Sequence, residues 1–145
     1  MVKPTTGYQW AREKMTAALK AEVASQGRAE MQLHVAIAEL LRATASPGVR
    51  FWHTPNGGKR AKQEAAQFKL MGVKAGVSDL VISMPGGRTG YIEVKAPSGR
   101  LTEEQENFLA AMAANGNPTA VVRSLDEAAD VLTSWGAIRK ARVAA

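Results

Sequence analysis

A short, glycine-rich connection joins two strand-like segments in the second half of the chain. Residues 79–83 and 91–95 are rich in aliphatic, β-branched and aromatic side chains, which is typical of strands. The residues between them include Pro85, Gly86 and Gly87, which favour a tight turn. Such a connection is too short for a crossover helix, so we predict that the two strands pair antiparallel. This hairpin restricts the fold more than any other feature because it fixes the neighbour and direction of two strands.

The hairpin also places charged side chains close together. Successive residues of a strand point to opposite faces, so Glu93 and Lys95 share one face while Ile92 and Val94 share the other. If Asp79 lies at the start of the neighbouring strand, its carboxylate can approach that of Glu93. Two crowded carboxylates repel each other unless a proton or a cation lies between them.

This combination of carboxylates and an amine is typical of metal-assisted hydrolysis. Oxygen ligands favour a hard divalent cation such as Mg²⁺, and a lysine beside it can orient or activate a water for phosphodiester hydrolysis. Each residue also has a simpler interpretation. Glu93 and Lys95 could form a surface ion pair on an edge strand, and Asp79 could be a turn residue after Gly76. The pattern alone leaves both interpretations open.

The rest of the chain alternates helical and strand patterns. We predict an α/β domain with a mixed β-sheet flanked by helices. Gln26 and Gly27 are interpreted as the end of the first helix. The predicted helices are 8–25, 29–43, 63–71, 103–115 and one ending near residue 135, and the further predicted strands are 49–53 and 118–122.

Two further polar residues lie near predicted helix starts. Glu30 is one turn before Leu33 and His34, near the apolar stripe of its helix. Its carboxylate therefore either interacts with the helix dipole or points into a cleft. Gln105 completes a capping box with Thr102, which explains this residue without an active site.

Basic residues are concentrated in parts of the chain. The net charge is +6; residues 51–75 carry five basic residues and one acidic residue, whereas residues 100–134 carry two basic and six acidic residues. A positive surface beside a carboxylate site fits a polyanionic substrate. An ordinary solvated basic loop is the alternative. A glycine loop with adjacent basic residues can approach a phosphate backbone, so we predict nucleic-acid contacts at Asn56, Gly57, Lys59, Arg60 and Lys62.

The composition excludes several classes of protein and site. The chain has no cysteine, which excludes disulfides and thiolate–metal sites. A zinc site would need both histidines, His34 and His53, together with carboxylates. No apolar run approaches the roughly 20 residues of a membrane span, and the N-terminus lacks the apolar core of a secretory signal. We therefore expect a cytoplasmic protein that does not enter membranes.

The order of these motifs resembles the VRR-NUC family of the PD-(D/E)xK nuclease superfamily, in the short stand-alone form often carried by phages and bacteria. The resemblance covers roughly residues 29–135. Ser78 stands where the superfamily name expects proline, a position that shapes the turn rather than binding metal. The segments that carry the resemblance are Glu30-Met31-Gln32, residues 51–58, Gly76-Val77-Ser78-Asp79, Glu93-Val94-Lys95, Gln105 and Val121-Val122-Arg123.

The resemblance implies a restriction-endonuclease-like core in a nuclease domain of residues 29–145, preceded by an N-terminal helical extension of residues 1–28. It also favours an active-site role for Gln105 and for the acidic residue at position 30. The implied catalytic residues are Glu30, Asp79, Glu93, Lys95 and Gln105. The implied ligands of Mg²⁺ or Mn²⁺ are Asp79, Glu93, the backbone carbonyl of Val94, and Glu30 directly or through water.

The implied activity is structure-selective DNA cleavage, similar to that of Holliday-junction resolvases. Stand-alone relatives tend to work as homodimers, and a phage-encoded protein would act in the host cytoplasm. Two alternatives remain open at this point. One is a DNA-binding module without catalysis, and the other is a sequence-specific nuclease of the restriction type on the same fold.

Overall fold

The computed structural model describes residues 7–55 and 62–139. These residues form four helices and four strands. They are α1 (Gly7–Thr44), β1 (Arg50–His53), α2 (Lys62–Leu70), β2 (Leu80–Met84), β3 (Arg88–Val94), α3 (Glu103–Ala114), β4 (Thr119–Val122) and α4 (Leu125–Ser134).

The four strands form one mixed sheet in the order β1-β2-β3-β4. β1 pairs antiparallel with β2, and β2 pairs antiparallel with β3, as the short glycine-rich turn predicts. β3 and β4 are parallel, with α3 as the crossover between them. The predicted fold class, a mixed sheet flanked by helices, is therefore confirmed.

The two faces of the sheet are covered by different helices. Ile92 and Val94 belong to a buried cluster with Ile37 and Leu41 of α1 and Leu132 of α4. Alternation along β3 turns the odd-numbered side chains to the other face. There the Tyr91 ring contacts Phe108 of α3 edge-on, with ring centroids 5.5 Å apart. The even-numbered and odd-numbered side chains of β3 therefore lie on opposite faces of the sheet, as the sequence predicts.

The N-terminal part of the fold differs from the prediction. The sequence predicted two helices, 8–25 and 29–43, with a break at Gln26 and Gly27; the structure has one helix of 38 residues, α1. Gly27 lacks the positive φ of a helix-ending glycine, and a Cβ there would meet nothing within 4 Å. A glycine inside a helix costs only about 1 kcal/mol relative to alanine, so the helix continues through it.

Helix α1 is long relative to the domain. At 1.5 Å per residue it extends about 57 Å, and only its second half contributes to the buried cluster among the residues whose burial is described. The proposed division into an extension of residues 1–28 and a domain of residues 29–145 stays a prediction. Across the described residues, none of the helices combines the length and the hydropathy that a membrane span requires.

Candidate active site

The hairpin register places Asp79 opposite Glu93. Leu80 of β2 pairs with Ile92 of β3, and continuing this register by one residue sets Asp79 against Glu93. Directly opposed residues of an antiparallel pair have Cβ atoms about 4.5–5.5 Å apart. The Asp79 carboxylate is held in place by the backbone N–H of Val94, which donates to its Oδ2 at 2.8 Å.

Glu93 is a buried carboxylate with one oxygen satisfied and one not. Its residue is 2% exposed. Oε1 accepts a hydrogen bond from Nε2 of Gln105 at 2.8 Å and lies 3.8 Å from Nζ of Lys95. Oε2 is buried and has no hydrogen-bond partner within the described part of the chain. An unsatisfied buried carboxylate oxygen is costly, so this atom points to a missing proton or cation.

The surroundings of Glu93 favour its neutral form. Burial, and next the negative charge of Asp79, raise the pKa of Glu93 from its ordinary value of 4.5 to about 8, while the charge of Lys95 acts in the opposite direction. Burial disfavours any charge, and a second carboxylate disfavours a negative one. Without a cation, Glu93 therefore holds a proton at neutral pH.

Gln105 serves both the helix and the site. The side-chain Oε1 of Gln105 accepts a hydrogen bond from the backbone N–H of Thr102 at 2.9 Å, and the backbone N–H of Gln105 donates to the Thr102 hydroxyl at 3.2 Å. This reciprocal pair is the capping box of α3. Because Oε1 faces Thr102, Nε2 is the group that reaches Glu93. The same side chain thus caps α3 and contacts Glu93, while an active-site role for Gln105 stays a prediction.

Glu30, on α1, contacts the loop that follows β3. Its Oε1 accepts from the backbone N–H of Ala96 at 3.3 Å. A Cβ at Gly99 would lie 3.2 Å from the same oxygen, so a small residue at position 99 leaves room for the carboxylate. Arg123 fixes this loop from the opposite direction, since its guanidinium donates to the carbonyls of Ala96 and Gly99.

A cleft of about 320 Å³ runs between α1 and the start of β2. Asp79 lines this cleft and also opposes Glu93, so it connects the cleft with the buried carboxylate. The full lining consists of Gly27, Glu30, Met31, His34, His53, Asp79 and Val94.

Two histidines in this cleft are functional candidates that the sequence analysis considered only for zinc. Nδ1 of His53 lies 2.8 Å from the carbonyl oxygen of Asp79; because a carbonyl only accepts, Nδ1 carries the hydrogen. The His34 ring meets the His53 ring edge-on at 4.5 Å. Burial, and next the neighbouring His53, lower the pKa of His34. The sequence did place His53 at the end of a predicted strand. It did not reveal the register between β1 and β2, which brings His53 to Asp79.

The comparisons with known proteins give the family of the chain and support its fold. The family model described as VRR-NUC domain matches residues 28–126. The chain belongs to the VRR-NUC family. A solved "VRR_NUC domain protein" superposes with a TM-score of 0.61 at 26% identity, covering 73% of this chain and 86% of that chain. A second solved structure, "VRR_NUC domain", gives a TM-score of 0.52 at 17% identity over 74% of this chain and 97% of that chain, which supports the fold alone. No curated protein matches the chain.

VRR-NUC is a nuclease-family domain. In this chain the structure brings most of the expected site residues together. Asp79, Glu93, Lys95 and Gln105 form one cluster, and Glu30 lines the same cleft as Asp79. Lys62 is exposed at the first position of α2. The other expected nucleic-acid contacts, Asn56, Gly57, Lys59 and Arg60, lie outside the described residues.

The carboxylates fit a cation that takes few protein ligands. Within residues 7–55 and 62–139, no three His, Asp or Glu side chains are grouped as a complete ligand cage. Mg²⁺ is commonly bound through one or two carboxylates, with water and substrate phosphate completing its coordination. Asp79 and the unsatisfied Oε2 of Glu93 supply a donor set of that kind.

Proposed function

We propose that this VRR-NUC domain is a divalent-metal-dependent endonuclease that hydrolyses phosphodiester bonds of DNA. The observation that carries the proposal is the buried carboxylate of Glu93, which lies against that of Asp79 and 3.8 Å from the Lys95 ammonium. Glu93 and Lys95 are both buried, and the attraction within a buried ion pair often fails to repay the loss of hydration of its two charges. The stability of the fold therefore gives no reason for this arrangement, whereas a cation-dependent reaction does.

Mg²⁺ or Mn²⁺ is the cation that the oxygen donors favour. When bound, it would supply Lewis-acid polarisation of the scissile phosphate and lower the pKa of water. The residues that would hold it are Asp79 and Glu93, with the Val94 carbonyl and Glu30 as further candidates.

The chain's own groups have separable tasks in this proposal. The Lys95 ammonium orients the attacking water and offsets the negative charge that builds up on the phosphate in the transition state. Gln105 donates to Oε1 of Glu93, which would leave the other carboxylate oxygen, Oε2, to hold the cation. Glu30 accepts a hydrogen bond from the Ala96 N–H and lines the cleft that the DNA strand would enter.

DNA is the substrate that the charge favours. The net charge of +6 creates an attractive field for a polyanion. Lys62 lies at the start of α2, directly after the glycine-rich basic segment. Neutralisation of phosphates by such lysines provides affinity without reading the base sequence.

We further propose selectivity for branched DNA and action as a homodimer, because two sites could cut two strands of a junction. The long helix α1 supports the dimer. From Ala17 to Arg28, each side chain whose exposure is described is exposed or half-exposed, and Leu19, on this stretch, is 55% exposed. Among the described residues this stretch of α1 is largely exposed, and an exposed helix face offers a surface for a second copy.

The test is a panel of end-labelled four-way junction, flap, single-stranded and linear duplex DNA, each incubated with Mg²⁺, Mn²⁺ or EDTA. We expect cleavage of the junction in both metals and none in EDTA. Glu93→Gln should abolish cleavage, because the replacement keeps the size of the side chain and removes its negative charge. Glu103→Gln, at an exposed acidic residue of α3, is the matched control and should cut normally.

Each alternative has its own outcome in this panel. Equal DNA binding in EDTA and Mg²⁺ without any cut product would identify a binding module. Discrete fragments from a plasmid, with junctions left intact, would identify a sequence-specific nuclease. Normal cleavage by folded Glu93→Gln would refute the metal-dependent mechanism.

A further inference from the structure

The C-terminal end of α2 exposes apolar side chains that the proposed reaction does not use. Leu70 is 90% exposed, Met71 72% and Val73 45%. Lys69 and Lys74 flank them in the chain. These five residues are called the α2 tip below. Contiguous exposed apolar groups with a polar rim typically mark a binding surface.

The backbone of the α2 tip is well defined. Gly72 adopts a φ of +92°, its N–H donates to the Lys69 carbonyl at 3.1 Å, and the Val73 N–H donates to the Phe68 carbonyl at 2.9 Å. This pair of bonds is the Schellman arrangement that ends a helix. The apolar side chains are therefore presented by an ordered helix end.

A shallow cavity of about 650 Å³ adjoins the α2 tip. It is large enough for a nucleobase, and two lysines lie at its rim. The cavity is lined by Ala65, Phe68, Lys69, Gly72, Val73, Lys74, Ala75 and Glu104.

A short segment of chain joins the α2 tip to the site formed by Asp79 and Glu93. Gly76 packs so tightly on the Glu104 backbone that a Cβ would overlap it, and the next residue, Gln105, contacts Glu93. Val73 precedes Asp79 by six residues, which span at most about 20 Å. Val73 therefore lies no more than about 20 Å from Asp79, a distance that a bound DNA strand can span.

The charge around the α2 tip favours nucleic acid over protein. Between positions 62 and 74, Lys62, Lys69 and Lys74 are accompanied by one acidic residue, Glu64, and Glu104 of α3 adds a carboxylate to the lining of the cavity, so the lysines still outnumber the acidic groups. Lysine is depleted in protein–protein interfaces, whereas interfaces with DNA are strongly positive. The helix C-terminus itself carries partial negative charge, so phosphate contacts there must come from the lysines.

We propose that the α2 tip binds unstacked bases of branched DNA, with Leu70 and Met71 against base faces and Lys69 and Lys74 on the flanking phosphates. This inference rests on the proposed function in taking DNA as the substrate. In a continuous duplex the base faces are stacked on each other. Apolar side chains gain contact only where a branch or distortion opens a base step. The α2 tip thus contributes selectivity for DNA structure rather than for sequence.

The test measures binding in EDTA, so that it is independent of cleavage. The probes are a four-way junction and a linear duplex of the same sequence, with 2-aminopurine at the branch. We expect Leu70→Ser/Met71→Ser to weaken junction binding about tenfold or more, to change duplex binding by less than about twofold, and to remove the 2-aminopurine signal of an unstacked base. Lys69→Gln/Lys74→Gln should weaken both complexes and lower their salt dependence. Leu125→Ser, at an exposed leucine of α4, is the matched control and should bind both probes normally.

The outcomes separate this inference from the proposed function. A protein that cuts no DNA but loses junction binding on Leu70→Ser/Met71→Ser would retain the inference and reject the nuclease. Equal losses on junction and duplex, or unchanged binding to both, would overturn the inference. So would dissociation of a dimer by the same variant in sedimentation experiments, because the α2 tip would then be a contact between protein copies.

Discussion

Nε2 of Gln105 donates to Oε1 of Glu93 at 2.8 Å, while the other end of the same amide closes the capping box of α3. The start of a helix and the orientation of a buried carboxylate therefore depend on one side chain. Since Oε1 of Gln105 is occupied by the Thr102 N–H, Nε2 has no alternative direction. This coupling allows the two roles to be separated by mutation.

Thr102→Ala and Gln105→Ala should affect stability alike and activity differently. Each removes one half of the capping box, so each should lower the free energy of unfolding by about 1 kcal/mol. Thr102→Ala retains the backbone N–H that orients Gln105 and should cleave normally. Gln105→Ala releases the Glu93 carboxylate and should cut at least about tenfold more slowly. Urea unfolding and junction cleavage well below the melting temperature measure the two effects. Equal cleavage by both variants would show that Gln105 serves the helix alone.

Glu93 should make the metal-free protein less stable as the pH rises. The raised pKa of about 8, against an ordinary 4.5, means that the folded state holds a proton that the unfolded state releases between these values. In EDTA, the contribution of Glu93 to the free energy of unfolding should therefore be most favourable below about pH 4.5. It should fall progressively as the pH rises to 8.

Glu93→Gln should remove this slope. In EDTA at pH 8 the variant should be more stable than the wild type by about 1–3 kcal/mol, because position 93 then carries no buried negative charge beside Asp79. Glu103→Gln, at an exposed position, is the control and should keep the wild-type slope. Urea unfolding at several pH values checks both, and a wild-type slope in Glu93→Gln would assign the effect to another group.

Metal affinity should follow the same ionisation. A divalent cation competes with the proton on Glu93, so below pH 8 the affinity for Mn²⁺ should fall about tenfold per pH unit and above pH 8 it should level off. Titration calorimetry with Mn²⁺ and the DNA-free protein at pH 6, 7, 8 and 9 measures this. A flat profile would mean that Glu93 is not a ligand.

Arg123 should act on the site through the loop that it holds. Its guanidinium donates to the carbonyls of Ala96 and Gly99, and the Ala96 N–H in turn holds Glu30. Arg123→Met should lower the free energy of unfolding by about 1–3 kcal/mol and speed hydrogen exchange at the Ala96 amide. Arg100→Met, in an exposed residue of the same region, should do neither. Unchanged exchange in Arg123→Met would show that the loop is held by other contacts.

The local parts of this fold were readable from the sequence, and the long-range parts were not. The β2–β3 hairpin followed from a short connection, and the face shared by Glu93 and Lys95 followed from alternation along one strand. Both depend on neighbours in the chain. The contact of His53 with Asp79 depends on the register between β1 and β2, which no local pattern fixes.

Helix α1 shows the limit of local stop signals. Gln26 and Gly27 were interpreted as a helix end, yet a glycine ends a helix only when it adopts the left-handed conformation, as Gly72 does. A glycine can adopt the left-handed conformation, but its presence in the sequence does not mean that it does so. Gln105 shows the opposite case, because the capping box was readable, but only the packing of α3 on β3 shows that the same amide also reaches Glu93.

Gly76 should transmit a change in packing to the active site. Its φ is +83°, and a Cβ there would overlap the backbone of Glu104, next to Gln105. Gly116 has a similar φ of +88° but open space around it. Gly76→Ala and Gly116→Ala should therefore share a conformational strain of about 1–3 kcal/mol, while only Gly76→Ala also displaces the start of α3. We expect a larger loss of stability and slower cleavage for Gly76→Ala, and normal cleavage for Gly116→Ala. If the two variants matched in stability and cleavage, the 73–78 segment would be yielding to the extra atom, and the position of Gln105 would not depend on this contact.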